Sequence, residues 1–161
     1  EKSSNELKSL FIENTSHKIP TLDQVLELVD GKVPLLIEIK NQPTNKIVKI
    51  LCDRLKKYKG QFAVQSFNPA YIIKVKKIAP EFVRGILSSK SKLKNKLKSF
   101  IKVKMALNFI AKPHFVSYKY SDLPIKTKYP TICWTITDIE KYNAVSAYAK
   151  NYIFEHFIPK K

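Results

Sequence analysis

Glycine and cysteine are scarce in this sequence, and each shortage excludes a class of protein. Only 3 glycines occur in 161 residues, so no glycine-rich loop is present to hold a nucleotide phosphate. Cys52 and Cys133 match no metal-binding or redox spacing, and we expect two free, buried thiols in a reducing compartment. No apolar run approaches the roughly 18 residues of a membrane span, and no signal-peptide pattern opens the chain. Together these absences predict a cytoplasmic protein.

Acidic residues and arginines are also few. The chain has 30 Lys+Arg against 13 Asp+Glu, a net charge of +17. Such a charge favours polyanions, either nucleic acid, anionic lipid surfaces or phosphate-bearing substrates. Only Arg54 and Arg84 are arginines, and arginine is the residue best suited to bidentate recognition of bases, so nucleic acid is the disfavoured partner. An AT-rich genome is an alternative source of many of the lysines.

What is present is a regular α/β pattern. Hydrophobic residues make up 44% of the chain, which predicts one folded domain over residues 1–161. Strand and helix patterns alternate at intervals of roughly 20 to 30 residues, which is typical of βαβ units and a parallel sheet. Strands are predicted at residues 33–39, 62–67, 82–87, 114–120, 131–136 and 152–155.

Two of the predicted helices open with a capping box. Thr21 with Gln24 begins a helix that ends at Asp30. Thr137 with Glu140 is predicted to begin a last helix that runs to about residue 150. Two further helices are predicted over residues 45–58 and 69–79.

The segment VPLLIEIK places charges at the end of a strand that is otherwise apolar. Strand alternation puts Leu36, Glu38 and Lys40 on one face and aliphatic side chains on the other. The carboxyl ends of parallel strands are where α/β proteins place their ligand sites. A divalent cation or Lys40 could compensate the Glu38 carboxylate. Two interpretations therefore stay open here, a functional site and a structural ion pair.

Five motifs in order, IPTLDQVLELV, LLIEIKNQ, AVQSFNP, VRGIL and CWTI, resemble the glycerophosphodiester phosphodiesterase family from Ile19 onward. The resemblance implies a TIM-type α/β barrel that hydrolyses a glycerophosphodiester to an alcohol and glycerol phosphate. It also implies a divalent metal, Ca²⁺ or Mg²⁺, held by carboxylates, and two histidines for acid/base chemistry. Such roles suit the residue types, because hard cations prefer carboxylate oxygens and cations offset charge on a phosphoryl group.

The same resemblance implies roles for five residues. Glu38 matches a metal-ligand carboxylate, and Lys40 matches the neighbouring lysine that faces the substrate phosphate. Gln65 and Phe67 belong to the strand-end motif beside the site, and Trp134 to an aromatic lining position.

The sequence also departs from the family pattern. The His-Arg-Gly, Glu-x-Asp and His-Asp motifs, which supply the catalytic histidines and two further metal carboxylates, do not occur. His17, His114 and His156 match no family position and are expected to be ordinary surface or capping residues. The chain is also shorter than the roughly 250 residues of a complete barrel. We therefore expect a partial barrel that lacks its first strands and is inactive alone. The alternative is a non-catalytic remnant that binds lipid headgroups, polyanions or a partner chain.

Two further expectations concern surfaces. The segment KSKLKNKLKSFIKVK, which begins at Lys90 and ends at Lys104, has the pattern of a basic amphipathic helix. It suits either an anionic membrane surface or the outer layer of a barrel, with its lysines in solvent. The open edges of an incomplete barrel predict pairing between two copies, or closure by the chain's own amino-terminal segment.

Overall fold

The computed structural model describes residues 4–89 and 109–158. The predicted basic helix from Lys90 to Lys104 lies outside these residues. All six predicted strands are present, and their ends agree with the sequence pattern to within two residues. The strands are β1 (Leu35–Glu38), β2 (Phe62–Ser66), β3 (Val83–Ser88), β4 (Phe115–Lys119), β5 (Thr131–Ile136) and β6 (Asn151–Phe154).

Helices connect most of these strands. Their bounds are α1 (Ser4–Ser9), α2 (Leu22–Val29), α3 (Lys46–Leu55), α4 (Pro69–Ile78) and α5 (Ile139–Val145), and a 3₁₀ turn lies at Tyr120–Asp122. Within the described ranges, none of the helices has the length and apolar character needed to cross a membrane.

The strands form one parallel sheet in the order β1-β2-β3-β4-β5-β6, so each strand pairs with its neighbour in sequence. The sheet is curled, since the Phe67 ring that follows β2 contacts the Trp134 ring on β5 although β3 and β4 lie between them. In the described part of the chain β1 and β6 do not pair with each other. The partial TIM-type barrel expected from the sequence is therefore confirmed.

The aliphatic face of β1 packs against helices, as the alternation predicts. Ile39 is buried, and Leu35 and Ile37 pack with it in a cluster that includes side chains of α2, α3 and α4. A second cluster joins Cys133 and Ile136 of β5 to α5. Both cysteines are buried and free, and burial raises the pKa of the Cys133 thiol to about 11. These clusters form the helix-facing layer of the core.

The first capping box is confirmed. The Thr21 hydroxyl accepts a hydrogen bond from the backbone amide of Gln24 at 3.3 Å, and the Gln24 side chain accepts one from the backbone amide of Thr21 at 2.8 Å. The helix ends at Asp30, whose φ of 47° is left-handed. Helix α3 stops at Leu55, short of the predicted residue 58, because Tyr58 turns away and its hydroxyl accepts a hydrogen bond from the backbone amide of Gly31.

The second predicted capping box is wrong. The N-cap of α5 is Asp138, whose carboxylate accepts a hydrogen bond from the backbone amide of Lys141 at 2.8 Å. A carboxylate at the N-cap accepts a hydrogen bond from a free backbone amide, as a hydroxyl group does. Its negative charge also interacts favourably with the positive end of the helix dipole. The helix ends at Val145 and not near residue 150, because the backbone amide of Lys150 already donates to the Thr131 carbonyl of β5.

Candidate functional site

Glu38 and Lys40 lie at the carboxyl end of β1, on the sheet face opposite the helices. The Lys40 ammonium is 2.8 Å from Glu38 Oε1, and the two side chains are 74% and 25% exposed. An ion pair this exposed contributes only about 0–1 kcal/mol to stability. The pair alone therefore gives little reason for charges at the end of this strand.

The concave face continues from Glu38 across the next three strands. Glu38 is in register with Gln65, Gln65 with Gly85, and Gly85 with Phe115. Residues in lateral register in a parallel sheet share a face, so these four residues form one row. A Cβ atom at Gly85 would lie 2.1 Å from Cε2 of Phe115. The ring of Phe115 therefore occupies the space above Gly85 and fills the middle of the row.

The two predicted aromatic lining residues contact each other. The rings of Phe67 and Trp134 meet edge to face, with centroids 5.6 Å apart and an interplanar angle of 88°. Phe67 follows β2, two residues beyond Gln65, and Trp134 is in register with Lys119 of β4. The aromatic pair therefore spans the concavity toward the carboxyl ends of the strands, the same end at which Glu38 and Lys40 lie.

Three buried polar atoms on the concave face have no hydrogen-bond partner among the described residues. They are Gln65 Oε1, Ser117 Oγ and Trp134 Nε1. Leaving such an atom buried and unpaired costs about 1–3 kcal/mol. The three side chains offer an acceptor, a hydroxyl that both donates and accepts, and a donor. An arrangement of this kind suits a ligand that carries hydroxyl groups.

Sequence reasoning missed Ser117. The residue lies two positions after Phe115 in β4 and is fully buried. The available signal was one small hydroxyl residue in the middle of β4, with aromatic and aliphatic residues on both sides of it in the sequence. Without the register of the sheet, nothing in the sequence connects that position to Gln65 or Trp134.

A second polar cluster, also unpredicted, lies at the carboxyl end of β5. The Lys141 ammonium donates to the Asp138 carboxylate and to the Thr137 hydroxyl, and it lies 5.6 Å from the centre of the Tyr120 ring. Hydrogen bonds from the side chain and the backbone amide of Lys141 lower the pKa of Asp138 to about 2. Asp138 therefore stays ionised and paired at neutral pH.

The three histidines lie in ordinary positions. His17 and His156 are exposed, and His156 Nε2 is 4.0 Å from the Glu155 carboxylate. His114 precedes β4, at the opposite end of the strands from Glu38, and its Nδ1 accepts a hydrogen bond from the backbone amide of Arg84. Burial and then the Arg84 charge lower the pKa of His114. The hydrogen bond to Arg84 gives His114 a structural role.

A metal site needs several oxygen or nitrogen ligands close together. No group of three or more His, Cys, Asp or Glu side chains able to hold a metal ion occurs within residues 4–89 and 109–158. Ca²⁺ takes six to eight oxygen ligands, and Mg²⁺ takes six. Glu38, which the resemblance matches to a metal ligand, carries one carboxylate. The described residues therefore do not form a complete metal site by themselves.

Comparison with solved structures shows which proteins share this curled sheet. A glycerophosphodiester phosphodiesterase from Parabacteroides distasonis matches 94% of this chain with 66% of its own, at a TM-score of 0.73 and 19% identity. A phosphodiesterase from Oleispira antarctica, solved with the product sn-glycerol-3-phosphate, matches 85% of this chain with 57% of its own, at a TM-score of 0.63 and 17% identity.

A regulatory protein shares the fold more distantly. The glycerol uptake operon antiterminator regulatory protein from Listeria monocytogenes covers 92% of this chain with 98% of its own, at a TM-score of 0.52 and 11% identity. The same sheet therefore serves proteins of different function. No family profile and no curated protein matches the sequence.

These likenesses confirm the resemblance to glycerophosphodiester phosphodiesterases at the level of the fold. The chain spans between 53% and 67% of the length of the phosphodiesterases that it matches. The chain is thus a partial α/β barrel whose fold is similar to that of these phosphodiesterases. The roles of its individual side chains rest on the geometry described above.

Proposed function

We propose that this chain forms the phosphodiester-binding part of a hydrolase site of the glycerophosphodiester phosphodiesterase type. One observation carries the proposal. The five residues selected by sequence resemblance lie on one concave face, toward the carboxyl ends of the strands. They are Glu38, Lys40, Gln65, Phe67 and Trp134. The fold of the structural neighbours supports the same reaction class.

Lys40 is the phosphate ligand in this proposal. Its ammonium is largely exposed and its partner in the described structure is Glu38. A phosphodiester anion competes for the donors of Lys40 through charge-assisted hydrogen bonds, which are stronger than neutral ones. Binding of the phosphate therefore loosens the Lys40–Glu38 pair and frees the carboxylate.

The unpaired polar atoms hold the hydroxyl-bearing part of the substrate. Ser117, Gln65 and the indole of Trp134 each gain a partner when a hydroxyl group reaches them. The cost of burying these atoms is then recovered on binding. The faces of Phe67 and Trp134 pack against the carbon atoms of the same ligand.

A divalent cation, when bound, neutralises charge on the phosphoryl group. Glu38 is the ligand that this chain contributes, and the remaining ligands must come from outside the described residues. Acid/base chemistry needs further groups as well, because none of the three histidines matches a catalytic position of these phosphodiesterases. We therefore expect the chain alone to bind a glycerophosphodiester without hydrolysing it.

Trp134 provides the test, since it is the only tryptophan in the chain. Titration with glycerophosphocholine should change its emission, and calorimetry should give a matching affinity. Lys40→Gln is expected to weaken binding about tenfold, the loss of one charge-assisted hydrogen bond. Lys46→Gln, an exposed lysine at the start of α3, is the control and should bind normally. Absence of binding in both measurements would overturn the proposal.

A non-catalytic binding protein is the second candidate, and it is favoured by the lack of a group of three metal-ligating side chains among the described residues. Hydrolysis of glycerophosphocholine should be measured for this chain and for an extended form, in which the first strands of a complete phosphodiesterase barrel are fused before Glu1. Activity of the extended form that Glu38→Gln abolishes supports the hydrolase. Binding without activity in both forms supports the second candidate.

A further inference from the structure

A groove of about 360 Å³ lies at the opposite end of the sheet from Glu38 and Lys40. Its lining includes Thr131, the first residue of β5, and Lys150, which directly precedes β6. The backbone amide of Lys150 donates to the Thr131 carbonyl at 2.8 Å, which fixes the two strand starts together. We call this feature the basic groove.

The lining of the basic groove carries cations without carboxylates. Lys128 and Lys150 both contribute to it, and no aspartate or glutamate does. Neither lysine forms an ion pair within the part of the chain that the structure describes. The groove between α2 and α3 differs, because Asp23, Glu27 and Asp30 line it beside its basic residues. Local charge in the basic groove is therefore uncompensated.

Aromatic and aliphatic groups lie between these cations. The Lys128 ammonium is 5.5 Å from the centre of the Tyr129 ring, and Tyr148 is 52% exposed. Tyrosine places an apolar ring and a polar hydroxyl together, which suits the boundary between lipid headgroups and water. A half-buried Ile125 completes this amphipathic surface.

We propose that the basic groove docks this end of the sheet onto an anionic lipid surface. Charge complementarity carries the choice of partner. Lysines near a membrane respond to its diffuse negative potential, each contributing about 1 kcal/mol, which is a roughly fivefold gain in affinity. The groove lining contains no arginine, the side chain that recognises bases and nucleic-acid phosphates in bidentate geometry. Nucleic acid is therefore the less suitable polyanion.

Docking in this orientation has a consequence for the other end of the sheet. All strands run parallel, so their carboxyl ends all point away from the basic groove. Glu38 and Lys40 would then face the aqueous side, where a water-soluble phosphodiester arrives by diffusion. Membrane binding does not depend on the proposed hydrolase site, and the two can be tested separately.

Vesicle flotation tests the proposal. Phosphatidylcholine vesicles with and without phosphatidylserine are mixed with the intact chain at near-physiological salt. The double variant Lys128→Glu/Lys150→Glu should bind the anionic vesicles at least about 30-fold more weakly, the loss of two lysine contributions. The control Lys46→Glu/Lys77→Glu makes the same change in net charge at exposed positions of α3 and α4. It should retain binding within about threefold, and far-UV circular dichroism checks that both variants fold.

Three results would overturn the proposal. The first is that the unaltered chain does not bind anionic vesicles. The second is an equal loss of binding in the control, which would indicate nonspecific attraction by the total charge of the chain. The third is tight binding of a single-stranded oligonucleotide that only the groove variant loses, without vesicle binding. That outcome would assign the groove to nucleic acid.

Discussion

Phe67 and Trp134 come from strand segments that are not neighbours, yet their rings meet at 5.6 Å. Adjacent strands lie about 4.8 Å apart, so two intervening strands would separate these side chains widely in a flat sheet. The contact is therefore both a product of the curl and a constraint that holds the concave face in shape.

Loss of this contact should destabilise the protein. Phe67→Ala is expected to lower the free energy of unfolding by about 1–3 kcal/mol, from lost apolar burial and the lost edge-to-face pair. Denaturant titration followed by Trp134 emission measures the change. Phe11→Ala, at a ring that is mostly exposed, should change stability by less than about 0.5 kcal/mol. Equal effects of the two substitutions would contradict a special role for the pair.

Gly85 is predicted to tolerate no side chain. A methyl group there would clash with the buried Phe115 ring, so Gly85→Ala should cost about 1–3 kcal/mol of stability. Adding Phe115→Leu to Gly85→Ala should recover part of that loss, since the shorter side chain makes room. Chemical denaturation of the two single variants and the double variant measures this coupling. Strict additivity would show that Phe115 is not the cause.

Substitution by alanine should change the stability of the protein in opposite directions at two buried serines, Ser66 and Ser117. Ser66 Oγ donates to the Ile39 carbonyl at 2.7 Å and accepts from the backbone amide of Asn68 at 3.1 Å. Ser66→Ala should therefore cost about 1–3 kcal/mol. The Ser117 hydroxyl has no hydrogen-bond partner within residues 4–89 and 109–158, so Ser117→Ala should raise stability by about 1 kcal/mol.

Ligand affinity separates the two serines further. Ser117→Ala should weaken binding of glycerophosphocholine even though the folded state becomes more stable. Thermal unfolding with and without the ligand measures both quantities in one series. A Ser117→Ala protein that is less stable, with unchanged affinity, would mean that the hydroxyl has a structural partner.

Asp138 makes a pH-dependent contribution to stability. Its pKa is about 2 in the folded protein, below the ordinary value of 3.8, because of hydrogen bonds from Lys141. Stability from the ionised carboxylate is therefore fully present above pH 3.8 and is lost as the pH falls through about 2. Asp138→Asn keeps a helix-capping side chain without the charge.

The urea midpoint of both proteins across this range gives the test. Their difference should be constant at higher pH and shrink as the pH approaches 2. A difference that does not change with pH would assign the effect to capping alone.

The sequence predicted the strands well because each one is a short apolar segment with a clear pattern of alternating side chains. VPLLIEIK, FAVQSF and TICWTI combine apolar residues with clear turn signals on either side. The alternation in the first of them correctly placed Ile39 on the helix-facing side of the sheet and Lys40 on the concave side. Phe67 and Trp134, which the resemblance selected as separate lining residues, contact each other in the structure, and their role at a site stays a prediction.

Features that depend on competition between neighbours were harder to predict. Thr137 and Glu140 fit a capping box, but Asp138 lies next to Thr137 and its carboxylate took the position instead. Ser117 and the basic groove depend on the register of strands far apart in sequence, which no local pattern contains. The Gly85–Phe115 contact also depends on strand register, since it joins residues on two different strands.

The order of the strands gives the chain a direction of assembly. Each strand from β2 to β6 pairs with the strand made just before it, so a nascent chain leaving the ribosome always finds its partner already present. Pairings between strands adjacent in sequence keep the loops to be closed short, which lowers the entropic barrier to folding. Removal of β6 would therefore disrupt only its pairing with β5 among the described strands. A sheet of this order can gain or lose one strand at its edge without rearranging the others.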